Sequence, residues 1–386
     1  MRPASPTSSA AAWLAYTALF AALYAGFGVQ SPYLPPLLKD HGLAAGLIGT
    51  ALASGTAIRL VAGPLAARLA DRFDALRLVF AVCAATAAVA VIGYGPAYGF
   101  WPLLAVSLAQ SSALAPLAQL ADALVLGSAA RHPGGFAYGW VRGAGSGAFI
   151  LGSVLSGQLV DRLGLGVVIW LNAALLSLAA MTAPATPRLP LPAAMAPSPS
   201  SGSLRALLAL PAFRRVIAVA ALILGSHALH DGFAMIRWNA AGIGAGEAGM
   251  LWSEAVAAEV VVFFLIGRPV LDRLGPAGVA MLAALAGAVR WAVSAETAWL
   301  PAVALIQPLH GITFALLHLA CMRRLAETVP SHLEATAMAL YGIVGIGVAT
   351  ALLTLVSGWL YGAVGARAFW PMAVLCLLAL PVARKL

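Results

Sequence analysis

The sequence predicts an all-α polytopic membrane protein whose twelve transmembrane helices form two pseudo-symmetric six-helix bundles. Three observations support this prediction: the composition, the placement of basic residues and an internal repeat. Of the 386 residues, 62% are hydrophobic and only 9% are charged, whereas soluble domains carry about 25% charged residues. Apolar runs of about 20 residues, the length of helix that spans a bilayer core, recur from one end of the chain to the other.

The apolar runs give the bounds of the twelve predicted membrane helices. Numbered helix 1 to helix 12 in chain order, they lie at 11–34, 44–66, 78–97, 100–127, 138–160, 165–184, 214–236, 247–267, 277–295, 298–321, 335–361 and 367–383. The Pro- and Ser-rich stretch at 185–213 cannot span a membrane and is interpreted as a linker. It separates an N-terminal bundle, 1–184, from a C-terminal bundle, 214–386. The first apolar run is too long for a signal peptide, so we interpret it as a retained helix.

Basic residues fall mainly on one side of the predicted membrane. With the N-terminus inside, 15 of the 22 Lys and Arg residues are cytoplasmic, 4 are outside and 3 lie within or near the membrane. This asymmetry predicts a multi-pass protein of the inner (cytoplasmic) membrane with both termini and the linker in the cytoplasm. The net charge of +9 is therefore interpreted as topology, and no nucleic-acid partner is expected. We expect a monomer in the lipid bilayer.

A short pattern occurs four times at helix ends. It is GQLVDRLG at 157–164, ARLADRFD at 67–74, DRLG at 272–275 and GWLYGAVG at 358–365. The first two copies are 90 residues apart, as are the last two, and each half is offset from the other by 201. Three-helix units in alternating orientation, duplicated once, produce this spacing and are typical of transporters with inverted repeats. The charged pairs in these copies are predicted to act in conformational switching: Asp71, Arg72, Asp161, Arg162, Asp272 and Arg273.

Longer stretches resemble a known family. The helix count, the linker and ARLADRFDALR resemble the major facilitator superfamily over essentially the whole chain. YGWVRGAGSGAFILG, LWSEAVAAEVVVFF and QPLHGITFALLHLACMRRLAETVPSHLEATAMALYG resemble its phenylpropionate-permease branch, which is related to the lactose and nucleoside proton symporters. The chain departs from the pattern at Ala67, where Gly is usual, and at His230 and Asp231, where the branch tends to have aromatic or small residues. The resemblance implies proton-coupled uptake of a small organic solute, such as an aromatic acid.

Ionisable side chains within the predicted helices are functional candidates, because each costs at least about 2.5–3.5 kcal/mol to insert. They are Arg59, Asp122, Arg142, His227, His230, Asp231, Glu254, Glu259, Arg290, His310 and His318, and Gln307 is a polar neighbour. Lactose-permease-like symporters place an acid on helix 4, an arginine on helix 5, an acid on helix 8, an arginine on helix 9 and a histidine on helix 10. By resemblance, these positions correspond to Asp122, Arg142, Glu259, Arg290 and His310.

Glu259 is the predicted proton carrier, because hydrocarbon surrounds it at mid-helix and the neutral acid is the cheaper form there. His310 and Arg290 are its predicted partners. Arg142 is predicted to pair with Asp122 and to bind an anionic or hydroxyl group of the substrate with its fork of donors. Alternatively, Arg142 extends to the cytoplasmic interface and Asp122 caps a neighbouring helix. Arg59 either pairs with a neighbouring helix or has a functional role.

His227, His230 and Asp231 share one helix face, because they are spaced i, i+3 and i+4. They form either a polar, substrate-contacting lining or half of a metal site. No second ligand cluster is evident, so no metal is predicted. His227 and Asp231, with Gln307, are assigned to substrate binding. A third alternative makes Asp231 a solvated outer end of the helix.

Several chemistries lack a motif in this chain. It has no Walker loop and no HExxH, GxSxG or CxxC, so we expect neither an enzyme nor a cofactor. The three cysteines show no pairing or metal spacing. Helix 5 lacks the Gly-Pro signature of drug/proton antiporters, which favours symport driven by protons. The alternatives are a proton-antiport efflux transporter and a sensor or assembly factor on the same fold.

The orientation can be tested at Ser198, in the linker. A Ser198→Cys variant on a cysteine-free background should resist a membrane-impermeant maleimide in intact cells and react once the cells are opened, because the positive-inside asymmetry places the linker in the cytoplasm. Strong labelling of intact cells would invert the predicted topology.

Overall fold

The computed structural model describes residues 6–129, 138–187 and 201–386, and every regular element in these ranges is helical. The α-helices are α1 Pro6–Gln30, α2 Leu34–Asp40, α3 Ala45–Arg72, α4 Leu76–Ile92, α5 Phe100–Leu114, α6 Leu117–Ala129, α7 Tyr138–Leu163, α8 Gly166–Thr182, α9 Ser201–Ala209, α10 Pro211–Ile223, α11 His227–Ala240, α12 Ala245–Val261, α13 Gly267–Glu296, α14 Leu300–Ile306, α15 Leu317–Thr328, α16 Glu334–Leu340, α17 Ala349–Val364 and α18 Phe369–Ala383. π-helical turns occupy Val262–Ile266, Gly311–Leu316 and Tyr341–Val348, and 3₁₀ turns occupy Ala183–Ala185, Ser331–Leu333 and Gly365–Ala368.

The described helices agree with the predicted membrane helices. Nine helical segments are long and apolar enough to cross a membrane, and α4 is a shorter apolar helix. Two of the nine, Ala245–Glu296 and Ser331–Ala383, have 52 and 53 residues, about twice the length that spans a bilayer. The first reverses at Gly275 (φ 65°) and the second at Gly365 (φ 57°). Counting these two as pairs and adding α4 gives twelve helices in the described part of the chain.

Two of the predicted membrane helices are interrupted at a proline, which has no backbone N–H donor. Helix 4 is divided into α5 and α6 at Ala115 and Pro116, and helix 10 is interrupted at Gln307 and Pro308. A proline inside a helix removes one backbone hydrogen bond and collides with the preceding turn. Helices 8, 10 and 11 each contain one of the π-helical turns, and such turns are frequent at functional sites.

All four copies of the sequence repeat end on a residue with positive φ. These residues are Asp74 (47°), Gly164 (80°), Gly275 (65°) and Gly365 (57°). Glycine adopts positive φ without steric cost, and aspartate is among the few other residues that do so. Asp74 is the single non-glycine residue with positive φ in the described chain. The copy at 67–74 therefore has, in place of the final glycine, an aspartate that can still terminate the helix.

The chain divides into two compact units. Met1–Leu43 and Ile58–Met195 form the first, and Ala44–Ala57 and Ala196–Leu386 form the second. Residues 44–57 thus group with the second unit, although the sequence assigned them to the N-terminal bundle. Of the predicted linker, residues 188–200 lie outside the described residues, and residues 201–209 form α9.

Small residues bring helices into close contact inside each unit. In the first unit, a Cβ atom at Gly28 of α1 would collide with the carbonyl oxygen of Phe149, and one at Gly152 of α7 would lie 2.5 Å from that of Ala25. In the second unit, a Cβ atom at Gly49 would lie 2.6 Å from the Cα atom of Gly358. A residue with a Cβ atom would not fit at these positions, so the helices pack here by direct contact between their backbones.

The positive φ at Gly164 should make it intolerant of a side chain. Gly164→Ala should reduce the free energy of unfolding by about 1–2 kcal/mol, because an L-residue is strained there. Gly166→Ala is the matched control: both glycines have open space around the added Cβ, but only Gly164 has positive φ. Equilibrium unfolding in mixed detergent micelles measures both variants. Equal stability of the two variants would contradict the backbone explanation.

Candidate functional site

A buried arginine connects several polar side chains of the second unit. Arg290, on α13, has no solvent exposure. Its Nη1 donates to Nδ1 of His310 at 2.8 Å, and its Nη2 donates to Oε1 of Gln307 at 3.1 Å and lies 3.5 Å from Nε2 of His230. The guanidinium carbon also lies 4.6 Å from the centre of the Trp291 ring. The guanidinium is therefore committed to neighbours within its own unit.

Arg290 fixes the tautomer of His310. A guanidinium has only donors, so the His310 Nδ1 that receives its hydrogen bond must be unprotonated. The proton of the neutral imidazole then lies on Nε2, which is 2.6 Å from Oε1 of Glu259. The hydrogen bonds consequently run in one direction, from Arg290 through His310 to the Glu259 carboxylate. This arrangement brings together the three residues assigned to proton coupling from the sequence.

A second histidine and carboxylate extend from the other side of Arg290. If His230 Nε2 accepts from Arg290, its protonated Nδ1 faces Oδ1 of Asp231 at 3.4 Å. One guanidinium thus faces two histidines, and each histidine has a carboxylate beyond it. The Asp231 side chain is 55% exposed, against 21% for Glu259. These two positions, 230 and 231, are the ones at which the chain departs from the phenylpropionate-permease pattern.

The remaining polar residues assigned to substrate binding in this unit are buried. Gln307 is 1% exposed and accepts from Arg290. His227 is 4% exposed, packs against the rings of Trp291, His310 and Phe314, and makes no hydrogen bond with the described residues. No group of three or more His, Cys, Asp or Glu side chains is arranged as metal ligands in the ranges that the structure covers.

Glycine and π-helical turns place His310 beside Glu259. A Cβ atom at Gly311 would lie 2.7 Å from the carbonyl oxygen of Ala258, so helix 10 touches the backbone of helix 8 at this level. Ala258 and Gly311 are the chain neighbours of Glu259 and His310. A π-helical turn begins at Gly311, directly after His310, and another begins at Val262, three residues after Glu259. The close approach therefore determines the short distance between the two functional groups.

The first unit holds a smaller polar cluster on α6 and α7. The Tyr138 hydroxyl donates to Oδ1 of Asp122 at 2.9 Å. Arg142 lies with its guanidinium carbon 4.6 Å from the centre of the Tyr24 ring, and its Nη1 donates to the Ser146 hydroxyl at 3.3 Å. Cation–π contacts of this kind hold an arginine without an acid. Among the described residues no direct ion pair joins Arg142 to Asp122, although the two lie within electrostatic range of each other.

Gly145 explains how Tyr24 reaches Arg142. A Cβ atom at this position would lie 3.1 Å from Cδ2 of Tyr24 and 3.3 Å from Phe20. The absence of a side chain lets α1 place both rings against α7. Tyr24 gave no functional signal in the sequence, because aromatic residues are common at the ends and in the cores of membrane helices. Its role depends on a contact between residues far apart in sequence.

The charged pairs assigned to conformational switching lie at exposed helix ends. Asp71, Arg72, Asp161, Arg162 and Arg273 are exposed, as is Asp272. Asp272 accepts from Nη1 of Arg323 at 2.7 Å, and Nε of Arg323 in turn donates to Glu327 at 3.0 Å. This network links the end of helix 8 to helix 10 within the second unit. Arg323 lies outside the four repeat copies and was not assigned to the switch.

Known proteins are similar to the chain in sequence and in fold. The MFS_1 like family model matches residues 13–372. A protein described as a "probable 3-phenylpropionic acid transporter" of Escherichia coli (strain K12) is 32% identical over 359 residues, which cover 92% of each chain. A maltose permease of Geobacillus stearothermophilus is 26% identical over 344 residues, covering 88% of this chain and 85% of the permease.

Solved structures agree on the fold. A point mutant of the nucleoside transporter NupG superposes with a TM-score of 0.86 at 17% identity, over 97% of this chain and 99% of that one. A bacterial homologue of the human lysosomal transporter Spinster, in an inward-facing and unoccupied conformation, gives a TM-score of 0.73 at 14% identity, over 99% and 97% of the two chains.

Fold and relatives together define a multi-pass membrane transporter. The chain belongs to the MFS_1 like family of the major facilitator superfamily. The predicted fold class and family resemblance are thereby confirmed, including the similarity to a phenylpropionate transporter.

Proposed function

We propose that this protein is a secondary active transporter that takes up a small organic acid together with protons, by alternating access, across the inner membrane of the cell. The observation that supports this best is the His310 bridge between Arg290 and Glu259. A histidine and a carboxylate in contact beside a buried arginine are costly within a membrane, and such groups commonly form proton pathways.

Glu259 is the proposed proton carrier of this bridge. If His310 gained a proton, its Nδ1–H would point at an N–H of Arg290 across 2.8 Å, and two positive groups would meet without an acceptor between them. If Glu259 gains the proton, the carboxylic acid can still accept the bond from Nε2 of His310 through its carbonyl oxygen. Protonation of Glu259 therefore preserves the arrangement, whereas protonation of His310 breaks it.

Proton binding changes the charge of Glu259, which lies near the fixed positive charge of Arg290. Glu259 takes a proton from water on one side of the membrane and becomes neutral, and it returns that proton on the other side to become a carboxylate. When Glu259 is charged, the connection through His310 to the Arg290 guanidinium stabilises it. When it is neutral, the hydrogen bond from His310 remains but the charge attraction is lost, so the link between helix 8 and helices 9 and 10 is weaker. The helix contact at this point thus depends on the proton.

One relative supports the substrate class. The relative at 32% identity is described as a probable 3-phenylpropionic acid transporter, and we extend the class of small organic acids, aromatic ones first, to this chain. Asp122, Arg142, His227, Asp231 and Gln307 remain the proposed polar groups of substrate binding. Of these, Asp231 is exposed, whereas Gln307 and His227 are buried and act through Arg290 and His310. Arg142 and Asp122 are held by Tyr24 and Tyr138, which suits binding or gating.

Replacing Glu259 by glutamine separates transport from proton coupling. Glu259→Gln imitates the neutral acid permanently, so exchange of labelled substrate between the two sides of proteoliposomes should continue at a rate near that of the wild type. Accumulation driven by a pH gradient should vanish, because no proton can be released. Both are measured with the same radiolabelled acid, such as 3-phenylpropionate.

The control for this variant is Glu254→Gln, on the same helix and five residues earlier. Glu254 is half-buried and makes no hydrogen bond or ion pair with the described residues, so its variant should accumulate substrate like the wild type. A Glu259→Gln protein that still accumulates substrate against its gradient is incompatible with Glu259 as the carrier. A wild-type protein that exchanges the acid but never accumulates it would refute proton coupling.

A further inference from the structure

Arg59 is an arginine at the middle of a membrane helix that interacts with no acid among the described residues. It is the fifteenth of the 28 residues of α3, so its charge lies near mid-membrane if α3 spans the bilayer. It makes no hydrogen bond or ion pair with any described residue, although a guanidinium offers five N–H donors. An arginine at this depth costs at least about 2.5–3.5 kcal/mol on insertion scales. No hydrogen bond or ion pair within the described part of the protein offsets this cost.

The other two membrane arginines are already engaged. Arg290 donates to His310 and Gln307 and is fully buried. Arg142 contacts the Tyr24 ring and the Ser146 hydroxyl. Arg59, by contrast, is exposed. It is therefore the membrane arginine whose donors are available to a molecule from outside the protein.

The exposed apolar residues that follow Arg59 most closely on α3 lie on another side of the helix. On a helix with 3.6 residues per turn, Val61 and Leu65 lie about 120–160° around from Arg59, and they are 57% and 52% exposed. Such residues suit contact with lipid. On the side of Arg59, Ile48 and Ala70 are 1% and 0% exposed. The guanidinium is thus exposed on a side of the helix that is buried eleven residues before it and eleven residues after it, and a solute can reach it there.

The neighbours of Arg59 identified in the first unit carry no charge. Tyr94 lies within electrostatic range of it and is itself 1% exposed, with its hydroxyl 3.0 Å from that of Ser107. Gly63, one turn further along α3, faces the backbone of Ala115 at the break between α5 and α6. A positive charge without a counter-charge attracts an anion, and a planar guanidinium matches a carboxylate with two parallel hydrogen bonds.

We propose that Arg59 binds the carboxylate group of the transported organic acid. This inference rests on the proposed function and assigns the anionic end of the substrate to α3. Substrates that lack a carboxylate lose the two charge-assisted hydrogen bonds to Arg59 and bind more weakly.

The test compares an acid with its amide. Binding of 3-phenylpropionate and 3-phenylpropanamide to purified protein in nanodiscs is measured by isothermal titration calorimetry near neutral pH. The wild type should prefer the acid by about 10- to 100-fold, the range for hydrogen bonds to a charged group. Arg59→Gln should bind the two ligands with similar affinity. Arg59→Lys keeps the charge without the fork, so its preference should fall between the two.

A matched control and a rival variant make the result specific. Arg68→Gln, on the same helix and on its opposite face, should keep the wild-type preference for the acid. Arg142 belongs to the proposed substrate-binding groups, so Arg142→Gln tests the rival assignment, and a loss of preference in this variant alone overturns the inference. An Arg59→Gln protein that retains the full preference also overturns it and leaves the proposed function intact.

Two further outcomes are decisive. If Arg59→Gln does not yield folded protein, Arg59→Lys decides, and an unchanged preference in that variant overturns the inference. A wild-type protein that does not prefer the acid at all overturns both the inference and the proposed substrate class.

Discussion

The buried guanidinium of Arg290 is the constraint on which the arrangement of the second unit depends. It has only donors, so each of its polar neighbours must present an acceptor. That requirement orients Gln307 and leaves the His310 imidazole proton on the nitrogen that faces Glu259. The same guanidinium lies next to His230, which is followed by Asp231. One fixed positive charge thus determines which groups can take a proton.

Much of this site could be predicted from the sequence, because ionisable residues in apolar runs are few. Glu259, Arg290 and His310 were selected as a set by resemblance, and the structure brings them into contact. The second histidine and carboxylate were visible as a shared helix face, but their connection to Arg290 was not. Helical periodicity gives the face of a residue on its own helix and carries no information about which neighbouring helix meets it.

The fold shows the same division between local and long-range information. Helix number, the repeat and the helix ends follow from patterns within a few residues, and the positive φ of Asp74 and Gly164 confirms that the repeat copies end alike. The predicted pairing of Arg142 with Asp122 is not a direct ion pair in the structure, since Arg142 lies against the ring of Tyr24 and Asp122 accepts from Tyr138. Tyr24 comes from α1, and its approach requires Gly145 on α7. Such packing depends on shape across distant segments, which composition and spacing do not encode.

The protonation state of His310 tests the central claim most directly. In protein labelled with ¹⁵N at histidine, with His310→Gln used to assign its resonances, the two ring nitrogens of His310 should show a neutral imidazole protonated at Nε2. This state should persist at the pH at which transport is fastest. An imidazolium at that pH, or a proton on Nδ1, would contradict the account, because Arg290 could not then donate to His310 and Glu259 would lose its assigned role.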